Sequence, residues 1–288
     1  MMKMNKLSIL AGIIILMSSC KEEGPFINFE KDQVSLVDTS YVSATPIPSV
    51  NRNVLFEEFS GVRCSNCPAG NAVTNSLYTT LGNRFVPVTV HSKFLAFPYG
   101  TDQDLRTDDA NEIANSLGPV GVKPSTFISR KVIGGTRLQQ SPGTWAGLVN
   151  SEIALPSFVD LNLEIVTLDE TERTLRYRIT LSYSVDAPKH NLGFYLTESE
   201  IIAEQLDGST QVVNYEHEFV LRKAITPVIG ENVAAQVAEN TVIIKEFEID
   251  IDDYDVDELW VMNHMYIVAF IRLDNDDIET ATMTELIP

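Results

Sequence analysis

Cysteine is nearly absent: the 288 residues hold three, Cys20, Cys64 and Cys67. Three cysteines exclude the multi-bridge framework that staples small secreted folds. They also leave no second cysteine pair to complete a tetrahedral zinc site, and His91, His190, His217 and His264 stand far apart with no ligand spacing. Cations are scarce too, 21 Lys and Arg against 40 Asp and Glu, for a formal charge of −19. The deficit is local: residues 1–157 carry 13 acidic and 13 basic side chains, whereas residues 158–288 carry 27 and 8. That balance argues against nucleic acid, which needs a basic face, and marks two units of different character, the acidic one read as a solubilising exterior. No apolar run reaches the roughly 20 residues that a membrane-spanning helix needs.

What is present begins with an export signal. Lys3 and Lys6 precede the apolar run Leu7–Met17, and Met17-Ser18-Ser19-Cys20 resembles a lipobox, the motif at which bacterial lipoproteins are cleaved and lipidated on cysteine. Residues 1–19 are therefore expected to be a lipoprotein signal peptide, with Cys20 the lipidated first residue of the mature chain. Acyl chains stabilise membrane attachment by about 0.8 kcal/mol per buried methylene, enough to anchor without a spanning helix. Residues 20–50, with Gly24-Pro25 and Pro46-Ile47-Pro48, have the composition of a tether. Lys21-Glu22-Glu23 resembles the short signal that sends Bacteroidetes lipoproteins to the cell surface, so either the surface or the periplasmic face is open.

From Asn53 strands alternate with helices: Val54-Leu55-Phe56, a helix over Pro68–Leu81, Phe85–Val90, a helix near Asp108–Leu117, Ser125–Ser129, a short strand Lys131–Ile133, and an amphipathic segment near Thr144–Leu155. This pattern predicts a small α/β domain over 51–156. Beyond Pro156 strand follows strand. Val159, Leu161, Leu163 and Ile165 alternate with polar residues, as do Leu175, Tyr177, Ile179, Leu181 and Tyr183, the signature of half-buried antiparallel strands. Further runs at Leu192–Leu196, Val212–Leu221, Val242–Ile251 and Met265–Leu273 predict an acidic all-β sandwich of immunoglobulin or fibronectin type over 157–288.

The motif with chemical content is Cys64-Ser65-Asn66-Cys67-Pro68, placed between a strand and a helix start. Unpaired amides and the helix dipole stabilise a thiolate there, and a second cysteine three residues on can resolve a mixed disulfide. On this reading Cys64 is the exposed nucleophile, Cys67 the buried resolving thiol, and Arg63 adds positive field. A redox-silent local brace is the alternative. His91, at the end of the second strand, is a further candidate where sites of open sheets gather, although a lone histidine is commonly structural. The run Asp250–Glu258 has carboxylates for calcium but not EF-hand spacing, and reads as a solvated turn.

The strand, Cys-x-x-Cys turn and helix resemble the thioredoxin fold. The resemblance implies a buried proton-relay acid at Glu58, six residues before Cys64, and a cis proline facing the disulfide at Pro124. Leu55–Gly61 running into Cys64–Pro68, together with Tyr215–Arg222 and Gly230, resemble the Bacteroidetes lipoprotein family named for a 28-kilodalton outer membrane protein. That resemblance implies an outer-membrane lipoprotein. The combined expectation is a thioredoxin-like α/β domain followed by a β-sandwich, using no cofactor beyond its redox-active disulfide. Its partners would be the membrane through the lipid anchor, protein thiols or disulfides, and an unidentified ligand of the sandwich.

Overall fold

The structure, a computed structural model, describes residues 36–287; the expected signal peptide, Cys20 and the start of the tether lie outside the described residues. The first elements are β1 (Val37–Val42), β2 (Val50–Asn51), β3 (Val54–Ser60), α1 (Cys67–Leu81), β4 (Phe85–His91), α2 (Asp108–Ser116), β5 (Ser125–Ile128), β6 (Leu138–Gln139), α3 (Pro142–Ile153) and β7 (Pro156–Ser157). Strands alone follow: β8 (Val159–Asp169), β9 (Thr174–Tyr183), β10 (His190–Glu198), β11 (Ile201–Asp207), β12 (Thr210–His217), β13 (Val220–Ala224), β14 (Glu231–Ala234), β15 (Thr241–Asp250), β16 (Met265–Leu273) and β17 (Ile278–Glu285).

β3 and β4 are buried at every position, both faces being covered, and pair in parallel from Val54↔Phe85 to Ser60↔His91 with α1 as the crossover. Phe56 packs with Leu77 of α1 and Trp145 of α3, whereas Leu55 packs with Val86, Val88 and Ile113 of α2. Pro68 sits in the first turn of α1, where its missing N–H costs nothing, and Thr107 caps α2 by accepting from Ala110 N at 2.9 Å.

The expected boundary between 51–156 and 157–288 does not divide the sheet. One nine-stranded sheet runs β17-β16-β10-β13-β4-β3-β5-β6, with β14 on the first residues of β10. The join is β13 against β4, with Val220 opposite Thr89 and Thr89 N donating to Phe219 O at 2.7 Å. The described residues accordingly belong to one compact unit. The inward residues of β9 are those the alternation predicts, and β1-β15-β9-β8 form a second sheet. It packs on β10 and β16, where Tyr177, Phe194 and Phe247 meet at ring separations of 5.1–5.5 Å.

Two further expectations change. Residues 37–42 are not tether: they pair as an edge strand with β15, from Val37↔Glu246 to Val42↔Thr241. The run Val212–Leu221 is not one strand, because Phe219 takes a left-handed φ of 53° that breaks it into β12 and β13. β12 folds back on β11 instead, as a separate two-stranded hairpin.

Candidate functional site at the disulfide turn

Cys64 and Cys67 form a disulfide with a Cα–Cα distance of 5.3 Å, on the turn between β3 and α1. Cys67 is the first residue of α1. Cys64 precedes the helix in a turn closed by Cys64 N donating to Gly61 O at 2.9 Å. Cys67 is fully buried, as expected, but Cys64 is only 3% exposed, against the expectation of an open nucleophile.

The cover is the β11–β12 hairpin. Gln205 Nε2 donates to Cys64 O at 3.1 Å and Gly61 O at 3.3 Å, Leu206 N to Val62 O at 2.8 Å, and Gly208 N to Ser65 O at 2.9 Å. Four carbonyls of the disulfide turn are thus taken by a segment some 140 residues downstream. Sequence reasoning does not single out β11, although Asp207-Gly208 is a hairpin-turn signal and Gly208 has a φ of 58°.

Beneath the disulfide lies Glu58, wholly buried, with Thr74 Oγ1 donating to its carboxylate. Asn71 of α1 completes the setting: with its amide oriented to satisfy its neighbours, Nδ2 donates to Glu58 Oε1 at 2.9 Å and to Cys67 O at 3.2 Å. Its Oδ1 accepts from Tyr215 OH of the hairpin at 3.0 Å. Burial pushes the Glu58 carboxyl up to about 8, offset in part by the Thr74 hydrogen bond, so the acid keeps its proton near neutrality.

Pro124 follows a cis Lys123–Pro124 bond and meets the same helix. A Cβ on Gly70 would stand 2.6 Å from Glu58 Oε1 and 2.8 Å from Pro124 Cβ. The absent side chain is what lets α1 touch both. Gly70→Ala is expected to cost about 1–3 kcal/mol by overpacking, whereas Gly147→Ala, with nothing within 4 Å, should be neutral or stabilising in its helix; urea unfolding of the two variants reads the difference.

His91 does not stand alone. His217 of the hairpin reaches it with ring centroids 5.5 Å apart, although 126 positions separate them in sequence. The His91 ring nitrogens have no hydrogen-bond partner among the described residues. Burial holds the His217 pKa down at about 4, and burial with the neighbouring His217, Lys123 and Arg222 keeps that of His91 well below its ordinary value. Both rings are neutral packing at the seam between hairpin and sheet. The acidic run 250–258 is a structural turn: Asp255 accepts from Leu259 N and Trp260 N and pairs with Arg173 at 2.6 Å. A cleft of about 700 Å³ lies between Arg106, Arg222 and Trp260, and neither cysteine lines it.

Residues 114–283 match the family model described as outer membrane protein Omp28. The chain belongs to the Omp28 family. The protein is accordingly an outer membrane protein, as the sequence leads one to expect. The Omp28 match contains Pro124 and the hairpin but begins after Cys64 and Cys67, so membership by itself is silent on the disulfide. Among solved structures, HBP35 of Porphyromonas gingivalis superposes with a TM-score of 0.65 at 14% identity, covering 83% of this chain and 77% of that one, a likeness of fold. A domain of the outer membrane lipoprotein Omp28 from Porphyromonas gingivalis aligns at 15% identity over 46% of this chain and 90% of that one, with a TM-score of 0.30. No protein of curated function matches the chain.

Proposed function

We propose that this Omp28-family protein is a thiol–disulfide exchange module whose β3–α3 segment is thioredoxin-like, held at the outer membrane by lipid on Cys20. The observation that carries the reading is the closed Cys64–Cys67 bridge at the start of α1 with a buried, protonated Glu58 linked through Asn71 to Cys67. A substrate thiolate attacks Cys64 Sγ, the Cys64–Cys67 bond breaks, and Cys67 leaves as a thiolate that takes its proton from Glu58. A second substrate thiol, deprotonated by the resulting Glu58 carboxylate, attacks the mixed disulfide and releases Cys64. Two electrons pass from the substrate dithiol to the bridge, and the reverse sequence reduces a substrate disulfide. No cofactor beyond the disulfide enters. The partners are protein thiols or disulfides, and β8–β17 position the module or bind a partner. At the cell surface no electron donor is expected, so a reducing cycle belongs to the periplasmic face; protease shaving of intact cells reads which face the protein occupies.

The test is Cys67→Ser, which is expected to accumulate mixed disulfides on Cys64 in cells, alongside insulin reduction by the intact protein. No trapped partner and no turnover would leave the second reading, a binding lipoprotein with a redox-silent bridge, which the buried state of Cys64 favours.

Glu58 also sets a pH dependence. Its folded pKa of about 8 exceeds the ordinary 4.5, so the folded state binds more protons than the unfolded one across that interval. The stability this group contributes is whole below pH 4.5 and is lost as pH rises towards 8. Glu58→Gln is expected to flatten that decline, giving a higher urea midpoint than the parent at pH 9 and little difference at pH 5. Parallel curves for the two proteins would remove Glu58 as the buried acid.

A further inference from the structure

The loop after β4 is built as a platform beside the disulfide. Phe94, Leu95, Phe97 and, from the neighbouring segment, Val122 are 41%, 37%, 53% and 46% exposed, unusual for large apolar side chains gathered on adjoining loops. The backbone that presents them is clamped. Arg63 N donates to Leu95 O at 2.8 Å, the Arg63 guanidinium donates to Phe97 O and Pro98 O at 2.8 and 2.7 Å, and Lys123 Nζ donates to Phe94 O at 3.1 Å. Gly61 lies so close that a Cβ there would be 2.3 Å from Leu95 O. Lys93 and Leu95 are held at left-handed φ values of 51° and 63°, a conformation non-glycine residues keep only where surroundings enforce it. The loop is thus pinned between the turn that carries the cysteines and the residue before Pro124, with its aromatic side chains turned outward.

Its charge is also distinctive. Arg63, Lys93 and Lys123 form no ion pair with a carboxylate among the described residues, whereas the others, Arg84 apart, each have one. Lys123 is itself buried, with its pKa pushed down to about 7, so in a chain of net charge −19 the cations this loop offers to a partner are Arg63 and Lys93. Arg106, stacked 3.9 Å from the Phe97 ring, is already neutralised by Asp104. A rigid apolar surface flanked by Arg63 and Lys93, neither paired with a carboxylate among the described residues, is complementary to a segment that carries apolar side chains and carboxylates together.

We propose that the Phe94–Phe97 loop, with Val122, Lys93 and Arg63, is the docking surface for an extended acidic-apolar polypeptide segment of the proteins that exchange with Cys64. The choice of polypeptide over an anionic lipid surface rests on the thiol-exchange reading, because the loop is fastened to the disulfide turn itself.

The probe is a fluorescein-labelled decapeptide alternating phenylalanine or leucine with glutamate. It holds no cysteine, so anisotropy reads binding to the intact, oxidised protein independently of any exchange. The expected result is saturable binding that weakens at least tenfold in Phe94→Ala/Phe97→Ala and severalfold in Lys93→Glu, with the lysine-for-glutamate peptide bound more weakly by the parent. Equal binding by all three proteins, or tighter binding of the lysine peptide, overturns the proposal. Sedimentation with phosphatidylglycerol–phosphatidylethanolamine vesicles is the second arm: a vesicle interaction lost in the double variant, with peptide binding unchanged, assigns the loop to lipid and overturns it too. Binding without insulin turnover defeats the exchange reading alone, and turnover unaffected by the double variant defeats the docking surface alone.

Discussion

Arg130→Ala is expected to lower the free energy of unfolding by about 3–5 kcal/mol, the largest loss foreseen for a single side chain outside the disulfide. Arg130 and Glu57 are both completely buried. The guanidinium grips the carboxylate with two bonds, Nε to Oε2 at 2.8 Å and Nη2 to Oε1 at 2.6 Å, and Nη2 also reaches Tyr195 OH at 2.6 Å. Glu57 comes from β3, Arg130 from the turn after β5, and Tyr195 from β10, so the triad fastens the two halves of the long sheet at its centre. Removing the cation leaves a carboxylate stranded without solvent, which is why the cost exceeds anything at the surface. Lys189→Ala, which breaks the exposed pair with Asp274, should change stability by no more than about 1 kcal/mol. Replacing Glu57 and Arg130 together by leucine and methionine should recover much of the loss, because no lone charge remains. Urea midpoints of the four proteins check the series; an Arg130→Ala midpoint indistinguishable from Lys189→Ala would show that the triad is not the fastening.

Gln205→Ala is expected to speed reduction of the disulfide by dithiothreitol by about ten- to thirtyfold. The side chain supplies two of the hydrogen bonds that lay the hairpin over the turn, to Cys64 O and Gly61 O. Each is worth about 1 kcal/mol net, and about 1.4 kcal/mol is a factor of ten in an opening equilibrium. Leu206→Pro, which removes the donor to Val62 O, should act in the same direction. The rates are read by quenching with a maleimide-linked polymer and separating the species on a gel. If both variants are reduced at the parental rate, the hairpin is not what limits access to Cys64. Faster reduction of the variants would reconcile a buried bridge with an exchange role, since a partner has only to lift two strands whose outer faces, at Ile202 and Val213, are already in solvent.

Local pattern in this sequence is informative as far as local physics reaches. The alternation in β9 predicts its inward residues because a strand with one wet face must alternate, and Pro68 marks the start of α1 because proline is tolerated there. Adjacent Glu57 and Glu58 are harder. Successive side chains point to opposite faces of a strand, and in β3 both faces are dry, so one glutamate needs Arg130 and the other keeps its proton. Nothing within β3 announces either outcome, because each depends on a partner or a cover far along the chain. The same holds for Cys64. A Cys-x-x-Cys turn before a helix implies an open thiol, and the hairpin that closes it is brought in by the fold, not by neighbours in sequence. His91 and His217 likewise look scattered until the hairpin folds back.

The join between β13 and β4 has a consequence for how the chain is made. β4 lies at the middle of the sheet, yet its outer edge is completed by residues near 220, and one face of β3 and β4 by side chains as late as Met283. An emerging polypeptide can gather the Phe56, Leu77 and Trp145 side of this sheet from residues 54–149, but the opposite face waits for nearly the last strand, and pairings so distant in sequence form slowly. The Cys64–Cys67 turn can therefore be covered only after the β11–β12 hairpin, some 140 residues further on, has been made.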